Sequence, residues 1–143
     1  MLLGAKRSLD DVEHGMIRAA GVYDDPRIHA AVNCASIGCP ALRDEAYVAE
    51  RLDSQLDDQL VRFLSDRTRN RYDDRTGALE VSKIFSWYGE DFAKGFRGWT
   101  SVKVMLAAYA NLLADDPAGQ KRVREMHAAV RYMAYDWALN SGQ

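Results

Sequence analysis

The sequence predicts an α+β fold, mostly helical, with a few short strands against which the helices pack. Two observations predict it: four or five segments carry apolar residues at helical spacing, against two or three short runs of strand character. A chain of 143 residues, 48% hydrophobic and 28% charged, fits one domain over residues 1–143.

Residues 1–7 give a short apolar start, with Leu2 and Leu3 reading as the end of an interrupted strand. Ser8 then opens a helix, because its hydroxyl caps free N–H groups while Asp10 and Asp11 sit at the positive end of the dipole. Leu9, Val12, Met16 and Ile17 mark its expected buried face, and Gly21 ends it. Glu13 and His14 are neighbours pointing about 100° apart, so only one of them is expected to look inward.

Residues Asp25 to Pro40 hold both cysteines, one of three histidines and two of three prolines. The apolar run Ile28 to Val32 has the length of a buried strand, which places a candidate site at its end. A long helix from about Asp44 to Arg67 follows, its buried line formed by Leu52, Leu56, Leu60, Phe63 and Leu64 and its wet face by acids such as Asp53, Asp57 and Asp58. The basic cluster Arg67 to Arg71 runs straight into Asp73 and Asp74 and reads as a solvated turn.

Tyr72 to Ser82 reads as a hairpin with Asp73 to Gly77 in its turn. A helix from Lys83 to about Lys94 carries Ile84, Phe85, Trp87, Tyr88 and Phe92 around most of its surface, more than one partner helix covers. Further helices are expected from Ser101 to Leu113 and from Gly119 to about Ala129, with His127 exposed or structural. The tail Val130 to Trp137 suits a terminal strand.

The formal charge of −2 creates no global field toward nucleic acid or anionic lipid, so neither is expected as a partner. No run approaches the ~20 apolar residues of a membrane span. The start is too polar for a secretory signal, so the chain as written is expected in the cytosol; a longer precursor with a signal peptide would place it in the periplasm or envelope.

Glycine-rich phosphate loops and a G-x-S-x-G elbow are absent, and no cofactor is expected. Cys34, Cys39 and His29 lack the paired spacing of a zinc site, and on a regular strand His29 and Cys34 would face opposite ways. What remains is a thiol with a base: Cys34 as nucleophile, His14 or His29 as base, and Asp136 or Glu13 as orienter. Alternatives are Cys34 as a small core residue and Cys34/Cys39 as a redox pair, although C-x₄-C is not the C-x-x-C spacing of thioredoxin-like motifs.

Five separated motifs carry a resemblance: Ser8 to His14 with Ile17-Arg18, Asp25 to His29, Asn33 to Pro40, Ile84 to Phe92, and Tyr135 to Asn140. Together they resemble DUF547, a family of uncharacterised function whose members are bacterial, often exported, or plant proteins. The resemblance implies a papain-like or transglutaminase-like fold, with Cys34 as the thiol candidate and His14, His29 and Asp136 as companions. Family domains begin well upstream, so the chain resembles their C-terminal part. Exposed apolar surface and self-association are the expected consequences. Three readings of function follow: a binding or assembly module for a protein or peptide partner, a cysteine-dependent hydrolase or acyl transferase, and a thiol redox protein.

Overall fold

The computed structural model describes residues 4–141. The reading of Leu2 and Leu3 as a strand lies outside the described residues. Helix α1 (Leu9–Val12) begins with a reciprocal capping box: Asp11 N donates to Ser8 Oγ (3.0 Å) and Ser8 N to Asp11 Oδ2 (2.8 Å). It continues into a π turn, Glu13–Ile17, closed by Arg18 N donating to the Glu13 carbonyl at 2.8 Å. The expected buried face does not form. Leu9 is 89% exposed and no residue of α1 or the π turn is fully buried. This segment is held instead by polar contacts, because the π turn directs Arg18 onto Asp91 and Tyr88.

The apolar run expected as a strand is helix α2 (Ile28–Ala31). A five-residue apolar stretch has no period that separates the two states. Here the chain turns at Pro26, with Ile28 N bonding to Asp25 O and His29 N to Pro26 O, and becomes extended only at Val32. The site placed at the end of a strand therefore stands at the end of a helical turn. His29 and Cys34 do not face opposite ways as residues of one regular strand would; both line the same cleft.

The long helix also starts later than expected. A 3₁₀ turn, Ala49–Arg51, leads into α3 (Leu52–Ser65), while Asp44 lies in an irregular strap. Two buried glutamines of α3 supply the strap's hydrogen bonds: Gln59 Nε2 to Ala41 O (2.7 Å), Gln55 Nε2 to Ala46 O (2.9 Å), and Val48 N to Gln55 Oε1 (2.9 Å). The polar residues within the buried line of α3 thus satisfy backbone that helix would otherwise satisfy itself.

Strands β1 (Arg71–Asp73) and β2 (Ala78–Val81) form the expected hairpin, pairing antiparallel with Tyr72 opposite Leu79. Asp73 organises the turn by accepting from Arg75 N and Thr76 Oγ1, and Gly77 supplies the positive φ of 66°. Arg67, Arg69 and Arg71 are each paired, with Asp115, Asp66 and Glu80, which makes their cluster a cross-linked turn.

Between β2 and the third strand lie α4 (Ile84–Trp87), two 3₁₀ turns (Asp91–Ala93 and Phe96–Gly98), α5 (Val102–Ala108), α6 (Ala110–Leu113) and α7 (Pro117–Arg124). α4 is far shorter than the expected helix to Lys94, because the backbone leaves helical geometry at Tyr88. The aromatic residues expected on that longer helix are divided: Phe85 of α4 and Phe92 of the first 3₁₀ turn are buried in the core, and Trp87 remains outside. Ser101 caps α5, and Asp116 caps α7 ahead of Pro117 at the first helical position. α7 thus begins before Gly119 and ends before Ala129.

Strand β3 (Ala129–Tyr132) joins β2 in parallel, giving the order β1-β2-β3; the tail is a strand for these four residues and extended loop beyond. Parallel pairing requires a crossover, which the α4–α7 segment provides. Leu60, Phe63 and Leu64 of α3 pack with Leu79, Val81, Phe85, Phe92, Met105 and Leu106 in one core. Buried Asn70 ties α3 to the sheet, donating to Phe63 O at 2.8 Å and accepting from Ser82 N at 3.1 Å. No helix among the described residues is long and apolar enough to cross a membrane.

Candidate functional site

The loop after α2 and the tail after β3 are stitched together by backbone bonds. Ile37 N donates to Ala138 O, Gly38 N to Asp136 O and Asn140 N to Ala35 O, each at 2.9 Å, around an antiparallel bridge between Ser36 and Leu139. Within this loop Cys34 and Cys39 are joined in a disulfide, with Cα atoms 6.1 Å apart. Cys34 is exposed and Cys39 buried. Tyr135 closes over the loop: its hydroxyl lies 2.8 Å from Ser36 Oγ and 3.2 Å from Cys34 Sγ. Gly38 is required there, since a Cβ at that position would stand 2.8 Å from the Tyr135 ring.

Beside the loop opens a cleft of about 200 Å³ whose lining includes Glu13, His29, Cys34, Trp87, Tyr135 and Trp137, with Tyr88 beside them. Trp87, Tyr135 and Trp137 pack on one another with ring centroids 4.6–5.6 Å apart, and Trp87 and Trp137 remain 44% and 68% exposed. These rings form one wall, a ledge of aromatic surface open to solvent.

The opposite chemistry is carried by His29, which is nearly fully buried. Its Nε2 lies 2.8 Å from Asp91 Oδ2, and its ring stacks on Tyr88 at 4.0 Å with the planes 11° apart. Asp91 also accepts from Arg18 Nε (2.9 Å) and Lys94 Nζ (2.9 Å). Burial alone would raise the Asp91 carboxyl, but bonds from Lys94, His29 and Arg18 outweigh it and hold the group well below the usual carboxylate range. Burial pushes the His29 imidazolium the other way: its pKa is lowered, against the pull of Asp91. His29 is therefore a neutral imidazole near pH 7. With Nε2–H donated to Asp91, Nδ1 keeps a lone pair that has no hydrogen-bond partner among the described residues.

The π turn explains how one short segment serves both sides. In an α-helix residues five apart lie about 140° apart. Closing the turn from i to i+5 brings Glu13 and Arg18 to the same side, so that Glu13 Oε1 reaches the Tyr88 hydroxyl at 3.4 Å while the Arg18 guanidinium lies 4.6 Å from the Tyr88 ring centre. The Tyr88 hydroxyl is harder to ionise through burial and the neighbouring Glu13 charge.

Of the residues singled out in the sequence, Cys34, His29 and Glu13 meet in this cleft. His14 does not line it. Its Nδ1 accepts from Arg18 at 2.6 Å, a guanidinium being a donor only, and its Nε2 lies 3.5 Å from Asp10. Asp136 takes a loop-forming part, its carboxylate accepting from Ala138 N at 2.9 Å. The orienting contact on His29 comes from Asp91, which lies within the Ile84 to Phe92 segment and carries no local sign of that role. His127 is exposed and paired with Glu125 at 3.5 Å. Among the described residues no group of three or more histidine, cysteine or carboxylate side chains is placed to hold a metal ion.

The family model DUF547, described as a protein of unknown function, matches residues 1–64. The match bears out the resemblance read from the sequence and includes Glu13, Arg18, His29 and both cysteines; the Asp91 and Tyr135 sides of the cleft lie beyond it. No curated protein and no solved structure matches the chain.

Proposed function

We propose that this DUF547 domain is a binding module whose ligand site is the cleft between the Cys34–Cys39 loop, α2, Trp87 and the 135–137 tail. The observation that carries the reading is the aromatic ledge: Trp87 and Trp137 leave large rings in solvent beside a concave, partly polar site. With its sulfur held in a disulfide, Cys34 acts as a wall of the site and not as a nucleophile. A persistent disulfide also belongs to an oxidising compartment, which favours the envelope over the cytosol.

Panning a displayed library of short random peptides on the full chain tests the reading. Enriched peptides are expected to bind Trp137→Ala and Trp87→Ala proteins at least tenfold more weakly than the parent. Undiminished binding to both variants, or no enrichment, removes it.

A second reading is favoured by the His29–Asp91 pair. An external dithiol reduces the disulfide to two thiols and is itself oxidised, after which the Cys34 thiol shares the cleft with a neutral, oriented imidazole that can take its proton. In a Cys39→Ser protein the rate of Cys34 alkylation by iodoacetamide would then level off well below the pH of an ordinary thiol. An ordinary thiol profile rejects this reading.

A further inference from the structure

We infer that the cleft selects an alkylammonium group, borne either by a free amine or by a lysine side chain of a peptide. The inference rests on the reading of the cleft as a ligand site and adds the chemistry of what enters.

Glu13 is the one formally charged side chain in the cleft lining, and among the described residues no lysine, arginine or histidine lies within ion-pair distance of it. Glu13 is half-buried, and among the described residues its carboxylate accepts one hydrogen bond, the long contact from the Tyr88 hydroxyl at 3.4 Å. A carboxylate partly withdrawn from water without a cation is costly, and a ligand that brings the cation removes that cost. The cations nearby are engaged elsewhere: Arg18 and Lys94 both hold Asp91, and neither lines the cleft.

The remaining walls suit the same ligand. Trp87, Tyr135 and Trp137 offer ring surface to an ammonium head and its methylenes, the negative ring faces attracting the cation, whereas Tyr88 is already covered by the His29 ring and the Arg18 guanidinium. His29 adds an acceptor nitrogen and no net charge. Trp87, Tyr135 and Trp137 are too close together for a cation to pass between them, so the head group meets their outer surface and reaches toward Glu13. The cleft, at about 200 Å³, is smaller than the ~300–1,000 Å³ of drug-sized pockets. It accommodates a group the size of one side chain.

The test titrates the full chain with n-butylammonium chloride, Nα-acetyl-lysine methylamide and n-butanol, following tryptophan fluorescence, which Trp87 and Trp137 place at the cleft while Trp99 is buried. Saturable binding of at least one ammonium probe is expected, with n-butanol at least tenfold weaker, and with Glu13→Gln reducing the ammonium probe to the n-butanol level. The free amine binding better identifies a small-molecule ligand, and the lysine derivative binding better identifies a peptide. Equal binding of n-butanol and the ammonium probes to the parent protein overturns the charge selection and leaves the aromatic site standing. No saturable response to any probe overturns both. The preference within the parent protein needs no variant, so a folding defect in Glu13→Gln does not obscure the answer.

Discussion

His29 and Asp91, 62 residues apart in sequence, meet at 2.8 Å and join α2 to the turn that follows α4. The pair determines the imidazole's tautomer, the bond from Arg18 brings the N-terminal segment to the same carboxylate, and Lys94 adds a local bond from three residues along the chain. One acidic side chain therefore ties together three parts of the chain: the π turn through Arg18, α2 through His29, and the turn after α4 to which Asp91 itself belongs.

Asp91→Asn is expected to lower stability by about 3 kcal/mol, the scale for removing one partner of a largely buried charge network. Urea unfolding would measure it. Because Asp91 favours the protonated imidazole, the His29 pKa should fall further in this variant, which imidazole NMR shifts would read. A change under 1 kcal/mol would mean that Arg18 and Lys94 find other partners at no cost.

Acid should destabilise the fold in two windows. The folded His29 pKa is lowered below its ordinary 6.5, so both states are neutral above that value and stability is full there. As pH falls through 6.5 the unfolded chain binds its proton first, and stability declines until the folded His29 also protonates. Asp91 acts lower down: its folded pKa is depressed from 3.8, so the stability it contributes is present above 3.8 and lost as pH falls toward the folded value. His29→Gln should flatten the upper window in a series of urea midpoints and retain the lower one.

The contrast between Ser8 and Asp91 explains what the sequence made legible. Ser8 and Asp73 act on backbone groups two or three residues away, so their cap and turn are readable from spacing alone; Asp116 is an equally local cap, but the expected start at Gly119 passes over it. The hairpin and the α3 core line from Leu56 to Leu64 are equally local, whereas Leu52, expected on that line, is exposed at the start of the helix. Ile28 to Val32 reads as a strand because strand and helical turn make the same apolar demand over five residues, and the carbonyls of Asp25 and Pro26, accepting from Ile28 N and His29 N, decide for the helical turn. The π turn shifts Glu13 and Arg18 by one extra residue per turn, which no periodicity announces. Nothing local marks Asp91 as the partner of His29, since that contact exists only after α3 and the hairpin have folded back between them.

Reducing the Cys34–Cys39 disulfide should lower stability by about 2 kcal/mol, the chain-entropy scale for so short a loop, seen as a lower thermal midpoint together with a mass gain of two hydrogens. In the reduced protein the exposed Cys34 should alkylate well before the buried Cys39. Equal alkylation rates would show that the loop detaches from the tail once the bond is broken.

Gly38→Ala tests how tightly that loop and tail are coupled to the cleft. The new methyl would stand within 3 Å of three atoms of the Tyr135 ring, so the ring must move; overpacking of this kind costs about 1–3 kcal/mol. Tyr135 cannot move alone, because its hydroxyl is bonded to Ser36 and its ring packs against Trp87 and Trp137. The variant should therefore change the fluorescence of the two cleft tryptophans and weaken alkylammonium binding severalfold, even though Gly38 is absent from the cleft lining. Unchanged stability with unchanged fluorescence would show that Tyr135 has room to swing away, and that the cleft's aromatic wall is independent of the disulfide loop.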